Sequence, residues 1–422
     1  MKTSIKLALV IFFAGLASLG YAQENRELQF YRPAGRAGVN VFETGKQDTV
    51  PYTGMKVRVG GDFAMQFQAL DQSNAGDSLV DLGTNLNLPN ANLNIDVQLY
   101  DGVRMHLRTY LSARHHEESW VKGGHIQMDK LDFIKPGFLE GVMKYTTIRI
   151  GLDEFNYGDA HFRRSDNARA IYNPFVGNYI MDAFSTEAFA EVTGQYNGFL
   201  AVVGITNGKL NQNVVVDDNT DNKLSFFGKL GYDKQLNDDL RVRLTGSLYT
   251  NQGKSNGAFL YGGDRGGARY YYVMHTVGEG GTDFDGRLNP IRNRGNAQLT
   301  AFQINPFVKY QGLEFFGIYE HTSDGVADGG FTQLAAELIY RFGGDDQLYV
   351  GGRYNTVSGE FNDGAPTSTV NRFNIGGGWY LTDNIMAKVE YVNQQYEDDG
   401  WIGTKYQDGK FDGFNVEAVI GF

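Results

Sequence analysis

Hydrophobic and polar residues alternate along most of the chain after residue 54. In the stretch MKVRVGGDFAMQFQAL, which begins at Met55, apolar side chains occupy most odd positions, and polar side chains occupy many of the even ones. The alternation returns at residues 91–99, and the tight turn Asp101-Gly102 then leads into residues 103–114. A period of two over such lengths indicates β-strands whose two faces meet different surroundings.

Strand-like segments of this kind continue to the end of the chain, although the alternation is weaker at residues 125–133 and residues 199–205 are almost wholly apolar. Short connections such as Tyr196-Asn197-Gly198 alternate with long ones, which is the hairpin rhythm of an outer-membrane barrel. The predicted strands are residues 55–70, 91–99, 103–114, 125–133, 143–151, 183–193, 199–205, 223–234, 240–250, 297–310, 313–322, 331–342, 348–357, 370–381, 385–396 and 411–422.

Residues 268–277, which contain Tyr270, Tyr271 and Tyr272, could form a further strand. A further strand would make the total odd, whereas single-chain bacterial barrels have an even number of strands. We therefore place residues 251–296 in one long external loop that has room for its own hairpin. The resulting fold is all-β: a transmembrane antiparallel up-and-down β-barrel of about 16 strands over residues 54–422, a size that leaves an aqueous channel.

Composition agrees with one large β unit. The 422 residues include 55 Gly, 25 Tyr and 29 Phe, no Cys, and a formal net charge of −11. A mean hydropathy of −0.36 excludes a helical membrane protein, but a barrel needs lipid-facing apolar residues only at every second position. Without Cys, thiolate catalysis, thiolate metal sites and a lipid anchor on Cys are excluded. Aromatic residues near strand ends, such as Tyr249, Tyr310 and Trp379, fit girdles at the membrane interfaces, and any that point inward could equally be platforms on which sugars stack.

The first 22 residues have the pattern of a secretory signal peptide. Lys2 and Lys6 precede an apolar run at residues 7–19, and Gly20-Tyr21-Ala22 places small residues at the cleavage site. An N-terminal membrane anchor is the alternative, and the short apolar run disfavours it. Residues 23–53 are irregular and are predicted to form a tail on the inner side of the barrel or across the pore mouth.

The last predicted strand ends FNVEAVIGF, with an aromatic residue, Phe422, at its end. Together with the signal peptide and the hairpin rhythm, it makes the mature chain resemble the outer-membrane porins. Within them, the segment from Gly54 to Phe67 and a basic inserted loop resemble the phosphate-selective porin family. The resemblance implies location in the outer membrane, a homotrimer, and a third external loop that folds inward to constrict the pore.

By this strand count the third external loop is residues 152–182, the candidate constriction loop. It carries the predicted pore-constriction residues His161, Arg163, Arg164 and Arg169, and a ring of arginines in confined water favours anions. In the alternative interpretation, these arginines pair with the carboxylates of the same loop and only hold it in place. The polar faces of the strands supply the predicted pore lining: Lys56, Arg58, Arg104, His106, Arg108, Arg149, Arg241 and Arg243.

We therefore predict a porin that lets small hydrophilic solutes diffuse passively and prefers anions or phosphate-bearing solutes. Its expected partners are outer-membrane lipid, lipopolysaccharide and small anionic solutes, and neither nucleic acid nor a cofactor is expected. A metal site is not expected either, since His115-His116-Glu117-Glu118 lacks a further histidine at a defined spacing.

The alternative is a surface receptor or adhesin barrel with little channel activity, using residues 251–296 and 23–53. A barrel protease or lipase would need a nucleophile beside a base, a spacing that the seven histidines do not show. A plugged transporter of about 22 strands would not fit in the chain.

Overall fold

The structure is a computed structural model of the chain. It describes residues 28–48, 50–111, 119–167, 169–210, 214–216, 218, 221–253, 260–262, 269–279, 284–291 and 297–422. The predicted signal peptide at residues 1–22 and the sequence His115-His116-Glu117-Glu118 lie outside the described residues.

The described residues form eighteen strands. They are β1 (Lys56–Ser73), β2 (Asn85–Tyr100), β3 (Val103–Leu111), β4 (Trp120–Met128), β5 (Thr146–Glu154), β6 (Thr186–Tyr196), β7 (Phe199–Thr206), β8 (Ser225–Gln235), β9 (Leu240–Asn251), β10 (Tyr270–Tyr271), β11 (Phe284–Asp285), β12 (Leu299–Tyr310), β13 (Leu313–Asp324), β14 (Gly329–Phe342), β15 (Leu348–Glu360), β16 (Ser368–Thr382), β17 (Ile385–Glu397) and β18 (Lys410–Gly421).

Helical structure in the described residues is short. One α-helix, α1, spans Glu140–Met143, and 3-10 turns lie at Gly35–Gly38, Ala160–Arg163, Ala170–Tyr172, Gly344–Asp346 and Asp399–Trp401. Within the described part of the chain, no helix has the length and apolar character needed to cross a membrane.

Sixteen of the strands close into one antiparallel barrel, which confirms the predicted fold class. Each barrel strand pairs with its neighbours in the chain, β9 pairs directly with β12, and β1 closes the ring against β18. The remaining strands, β10 and β11, pair only with each other in a separate two-stranded sheet. The described part of the tyrosine-rich segment, residues 269–277, therefore contributes no barrel strand, in agreement with its placement in the long loop.

The prediction at residues 125–133 was displaced along the chain, because β4 covers Trp120–Met128 instead. A register irregularity between Arg108 and Thr109 of β3 interrupts the alternation opposite the glycines of β4, Gly123 and Gly124. Strand β7 lies where the sequence predicted it. Its sequence is almost wholly apolar because its inward residues Leu200 and Val202 pack into the largest hydrophobic cluster of the interior.

The outer face of the barrel is apolar, and exposed side chains such as Val203, Leu230 and Leu338 form it. Tyr310 and Trp379 point outward, with exposed fractions of 53% and 51%, as the girdle interpretation expects. Tyr249 does not, and its assignment to a girdle was wrong. Its ring is fully buried on the inward face of β9, and its hydroxyl hydrogen-bonds to Ser225 and Glu187.

Candidate functional site

The third loop folds into the barrel and crosses to the opposite wall. Here the third loop denotes residues 155–167 and 169–185, between β5 and β6. The backbone N–H groups of Val176, Ile180 and Met181 donate to side chains of β17, β15 and β14 respectively. Inward-facing polar residues on this wall are therefore buried: Gln303, Asn305, Glu320, Gln333, Glu337, Arg353, Asn355, Glu390 and Asn415.

A second segment crosses the end of the barrel that carries the short turns. This N-terminal segment, residues 28–48 and 50–55, is held at widely separated places around the rim. Arg36 forms an ion pair of 2.8 Å with Asp383 in the β16–β17 turn, and Lys46 forms one of 2.7 Å with Asp129 beyond β4. Asn40, between them, hydrogen-bonds to Glu314 at the start of β13. These contacts place the segment across the mouth of the barrel.

A buried cluster of four charges joins the N-terminal segment and the third loop to the wall. Glu43 and Asp159 both contact Lys229 of β8 and Arg243 of β9, at N–O distances of 2.8–3.3 Å. Burial alone would raise the pKa of the Glu43 carboxyl, but Arg243 and Lys229 outweigh it and lower that pKa to about 2. For the same reason the pKa of Asp159 lies far below its usual value. Arg243, a predicted lining residue, is thus neutralised.

Two of the predicted constriction residues are buried against carboxylates. Arg163 is 3% exposed and pairs with Glu337 of β14 at 2.6 Å, and it also donates to Asn40. Arg164, equally buried, pairs with Asp182 at the far end of the same loop at 2.8 Å. Arg163 therefore joins the third loop to a distant strand, whereas Arg164 joins two parts of the loop itself.

The other two predicted constriction residues lie together beside Glu154, the last residue of β5. Arg169 forms an ion pair with Glu154 and donates to the backbone oxygen of His161. His161 is buried, and burial lowers its pKa to about 3, although Glu154 lies 4.0 Å from its ring. A histidine with this pKa is neutral at pH 7. The three arginines therefore have separate carboxylate partners: Glu337 for Arg163, Asp182 for Arg164 and Glu154 for Arg169.

A cavity lies on the opposite side of the interior, against the inner face of the first strands. This basic cavity, of about 120 Å³, is bounded by the wall, the third loop and the N-terminal segment. Its described lining residues include five arginines but only two carboxylates, Asp153 and Glu154. The full lining is Tyr31, Arg32, Ala34, Gly35, Gly61, Asn94, Arg104, His106, Arg108, His125, Arg149, Asp153, Glu154, Asn167, Arg169, Ile171, Tyr172, Gly421 and Phe422.

Four of the predicted lining residues border this cavity: Arg104, His106, Arg108 and Arg149. The other four lie elsewhere on the inner wall. Lys56 and Arg58 lie near the start of β1, where Arg58 donates to the hydroxyl of Tyr31. Arg241 and Arg243 border openings on the far side of the N-terminal segment, of about 890 Å³ and 570 Å³. The predicted set therefore divides between the basic cavity and the rim.

The arginines of the basic cavity differ in how far they are neutralised. Arg108 pairs with Asp153 at 3.1 Å, and Arg149 pairs with Glu191 at 2.8 Å. Arg104 donates instead to the neutral amide oxygen of Gln127, at 2.6 Å. Among the wall arginines of the cavity, Arg104 is thus the one without a carboxylate in direct contact, although Asp96 and Asp129 act on its charge from farther away.

Sequence reasoning missed two basic residues that line the cavity, His125 and Arg32. His125 could have been found, because it lies opposite His106 in the β3–β4 pairing and so points to the same face. Arg32 has no such signal, since it belongs to the irregular N-terminal segment. Burial lowers the pKa of Arg32 to about 10, so it stays charged at neutral pH. Among the described residues, no group of three or more His, Asp or Glu side chains is placed to hold a metal ion.

Comparison with solved structures finds barrels from outer membranes. An anion-selective porin from Comamonas acidovorans matches with a TM-score of 0.53 and 12% identity, over 87% of this chain and 100% of that chain. A loop L8 deletion mutant of OmpT, an outer membrane protein of Vibrio cholerae, matches with a TM-score of 0.51, 12% identity and the same coverage. OmpT folded in vitro, in its trimer form, matches with a TM-score of 0.50 and again 12% identity, over 87% of this chain and 100% of that chain.

At this identity the likeness concerns the fold: the chain has the 16-stranded barrel of outer-membrane porins. No protein-family model matches the chain, and a search of curated proteins finds no match either.

Proposed function

We propose that this protein is an outer-membrane porin that carries small hydrophilic solutes by passive diffusion and prefers anions. The fold supports the first part, because a closed barrel with an apolar outer face and a polar inner face is suited to lipid outside and water inside. Transport of this kind needs a hydrated path and no reaction. Its proposed location is the outer membrane, where lipid and lipopolysaccharide surround it. Its proposed assembly is a homotrimer.

The anion preference rests on the basic cavity. Of its five arginines, three pair with carboxylates: Arg108, Arg149 and Arg169. Arg32 and Arg104 donate instead to neutral oxygens. The positive excess, in a space bounded by low-dielectric walls, raises the local concentration of anions. The net charge of −11 does not oppose this, because selectivity is set by charges along the path and not by those of the outer loops. Phosphate-bearing solutes are included in the proposed range, since an arginine fork matches phosphate oxygens.

The test is the reversal potential of the refolded protein in a planar bilayer under a potassium chloride gradient. We expect chloride preference, and we expect Arg104→Gln to reduce it, because this variant removes a cavity charge that has no direct carboxylate partner. Lys405→Gln is the matched control, since Lys405 pairs with Glu279 between external loops. Cation-selective channels that respond to neither variant would contradict the anion preference.

A second candidate, a surface receptor with little channel activity, is favoured by the packing of the lumen. The third loop and the N-terminal segment bury the inner wall, and Tyr261 and Tyr270 of the long loop between β9 and β12 bind Glu320 and Glu390 inside the barrel. The same bilayer experiment separates the two functions, because a receptor barrel would insert without producing discrete conductance steps.

A further inference from the structure

Two histidines in the basic cavity are held in the same way. His106 of β3 and His125 of β4 are directly paired across the strands, with ring centroids 5.2 Å apart. The Nδ1 of His106 lies 2.7 Å from a carboxylate oxygen of Asp96, and the Nδ1 of His125 lies 2.9 Å from one of Asp153. An ionised carboxylate only accepts hydrogen bonds, so each Nδ1 carries the hydrogen. In the neutral ring the other nitrogen, Nε2, is then an acceptor.

Both Nε2 atoms are buried and have no hydrogen-bond partner among the described residues. The same is true of the Nε–H donors of Arg104 and Arg108, which flank His106 on the same face of β3. All four side chains line the basic cavity and are at least nine-tenths buried. Buried polar groups are nearly always satisfied, so these four indicate what the cavity is built to hold.

The two kinds of unsatisfied group define a complementary solute. The arginine N–H groups need an acceptor, for which an anionic oxygen is the strongest partner, and the imidazole Nε2 atoms need a hydrogen-bond donor close to it. Water meets both requirements but does not balance the positive charge of the arginines. Chloride or a simple carboxylate meets only the first requirement. A small organic acid with a hydroxyl group meets both. The volume of about 120 Å³ exceeds by several times the roughly 15 Å³ that one water occupies on this measure, so a solute of this size fits.

We propose that the basic cavity is a binding site for small hydroxycarboxylates, with His106 and His125 as the residues that distinguish a hydroxy acid from the same acid without the hydroxyl. The inference rests on the proposed channel for anions and names the solute class that its narrow part selects. A divalent metal ion could also use two carboxylate-backed imidazoles. It is disfavoured because Arg104, Arg108 and Arg149 surround them.

The test compares glycolate with acetate, and lactate with propionate, since each pair differs in one hydroxyl. Binding to the refolded protein in detergent is measured by calorimetry at neutral pH, and permeability relative to chloride is measured in bilayers. We expect the hydroxy acid to be preferred by about three- to tenfold in both, the effect of one net hydrogen bond. His106→Asn and His125→Asn keep an N–H for the carboxylate but lose the ring acceptor. They should reduce this ratio, whereas a merely structural role would weaken both acids equally.

The outcomes are distinguishable. Preferred binding of glycolate in detergent without conductance would support the site and contradict the channel. Channels with equal permeability and equal binding for both acids would overturn the site and leave the channel standing. Zinc binding that His106→Asn abolishes, without discrimination between the acids, would also overturn the proposal, because the imidazoles would then serve a metal.

Discussion

At the scale of single residues, the structure separates charged groups that tie the chain together from those that shape the cavity. Arg163 belongs to the first kind, because Glu337 and Asn40 take its hydrogen bonds in a fully buried place. Arg104 belongs to the second, because its hydrogen bond goes to a neutral amide. An arginine in this barrel therefore either stabilises the fold or adds positive charge to the cavity, depending on whether its partner is a carboxylate or a neutral group.

We expect Arg163→Ala to destabilise the barrel by about 3 kcal/mol, because removing one member of a buried pair leaves the other charge desolvated. The loss should fall at the lower end of the usual range, since Glu337 keeps Arg353 at 2.7 Å. Arg36→Ala is the control: its pair with Asp383 is exposed and should contribute less than about 1 kcal/mol. The midpoint of urea unfolding measures both variants. Equal midpoints would show that the buried pair contributes no more than the exposed one.

His161 should not contribute to anion selectivity. Burial lowers its pKa to about 3, so the ring is uncharged at pH 7 and adds nothing to the cavity field. His161→Asn is therefore expected to leave the reversal potential in a chloride gradient unchanged at pH 7, in contrast to Arg104→Gln. A shift towards cation selectivity in His161→Asn would mean that the ring is charged in the folded protein.

At the scale of elements, the N-terminal segment closes much of the short-turn end of the barrel. Removing residues 28–52 is expected to increase single-channel conductance, because the segment separates the basic cavity from the openings at the rim. Anion preference should increase as well, since Lys229 and Arg243 lose the carboxylate of Glu43. Adding a synthetic peptide of residues 28–52 to one chamber is the control, and it should restore the lower conductance from that side only. Unchanged conductance would place the segment outside the solute path.

The attachment of this segment should weaken in acid. The pKa of Glu43 is lowered from 4.5 to about 2, so its contribution is fully present above pH 4.5 and is lost as the pH falls towards 2. Conductance is therefore expected to be constant from pH 8 to pH 5 and to rise below it. Glu43→Gln, which lacks the titrating group, should show raised conductance throughout and a smaller change in acid. A rise that begins above pH 6 would point to a different group.

The sequence could predict elements whose signal is local. Strand number and the closed barrel follow from alternation, turn spacing and parity, whereas the inward third loop was expected from the resemblance to porins. Arg104, His106, Arg108 and Arg149 could be placed on inward faces for the same reason, because side-chain direction alternates along a strand. Nothing local shows that Arg163 meets Glu337, a residue 174 positions away. Nor does it show that Arg32 reaches the cavity, since the N-terminal segment has no period to follow.

At the scale of the whole molecule, closure depends on the pairing of the first and last strands. β18 pairs with β1 from Asp62 to Ser73, and the backbone of Phe422 exchanges two hydrogen bonds with Gly61. An unclosed sheet would leave two edges with unpaired backbone groups, which are intolerable in lipid and invite aggregation in water. The barrel therefore cannot be formed in parts, and a defect in the last strand affects all sixteen.

Val416→Pro tests this argument, because Val416 lies mid-strand between Phe67 of β1 and Val389 of β17. Proline removes a ladder hydrogen bond and is found in sheets essentially only at edges or bulges, so it should destabilise this central position. The expected result is loss of the compact, fast-migrating form that a closed barrel gives in unheated detergent gels. Val215→Pro, in the exposed connection between β7 and β8, is the matched control and should keep that form. If Val416→Pro also migrates as a compact barrel, closure tolerates a broken ladder at β18, and the other fifteen strands can hold the ring together.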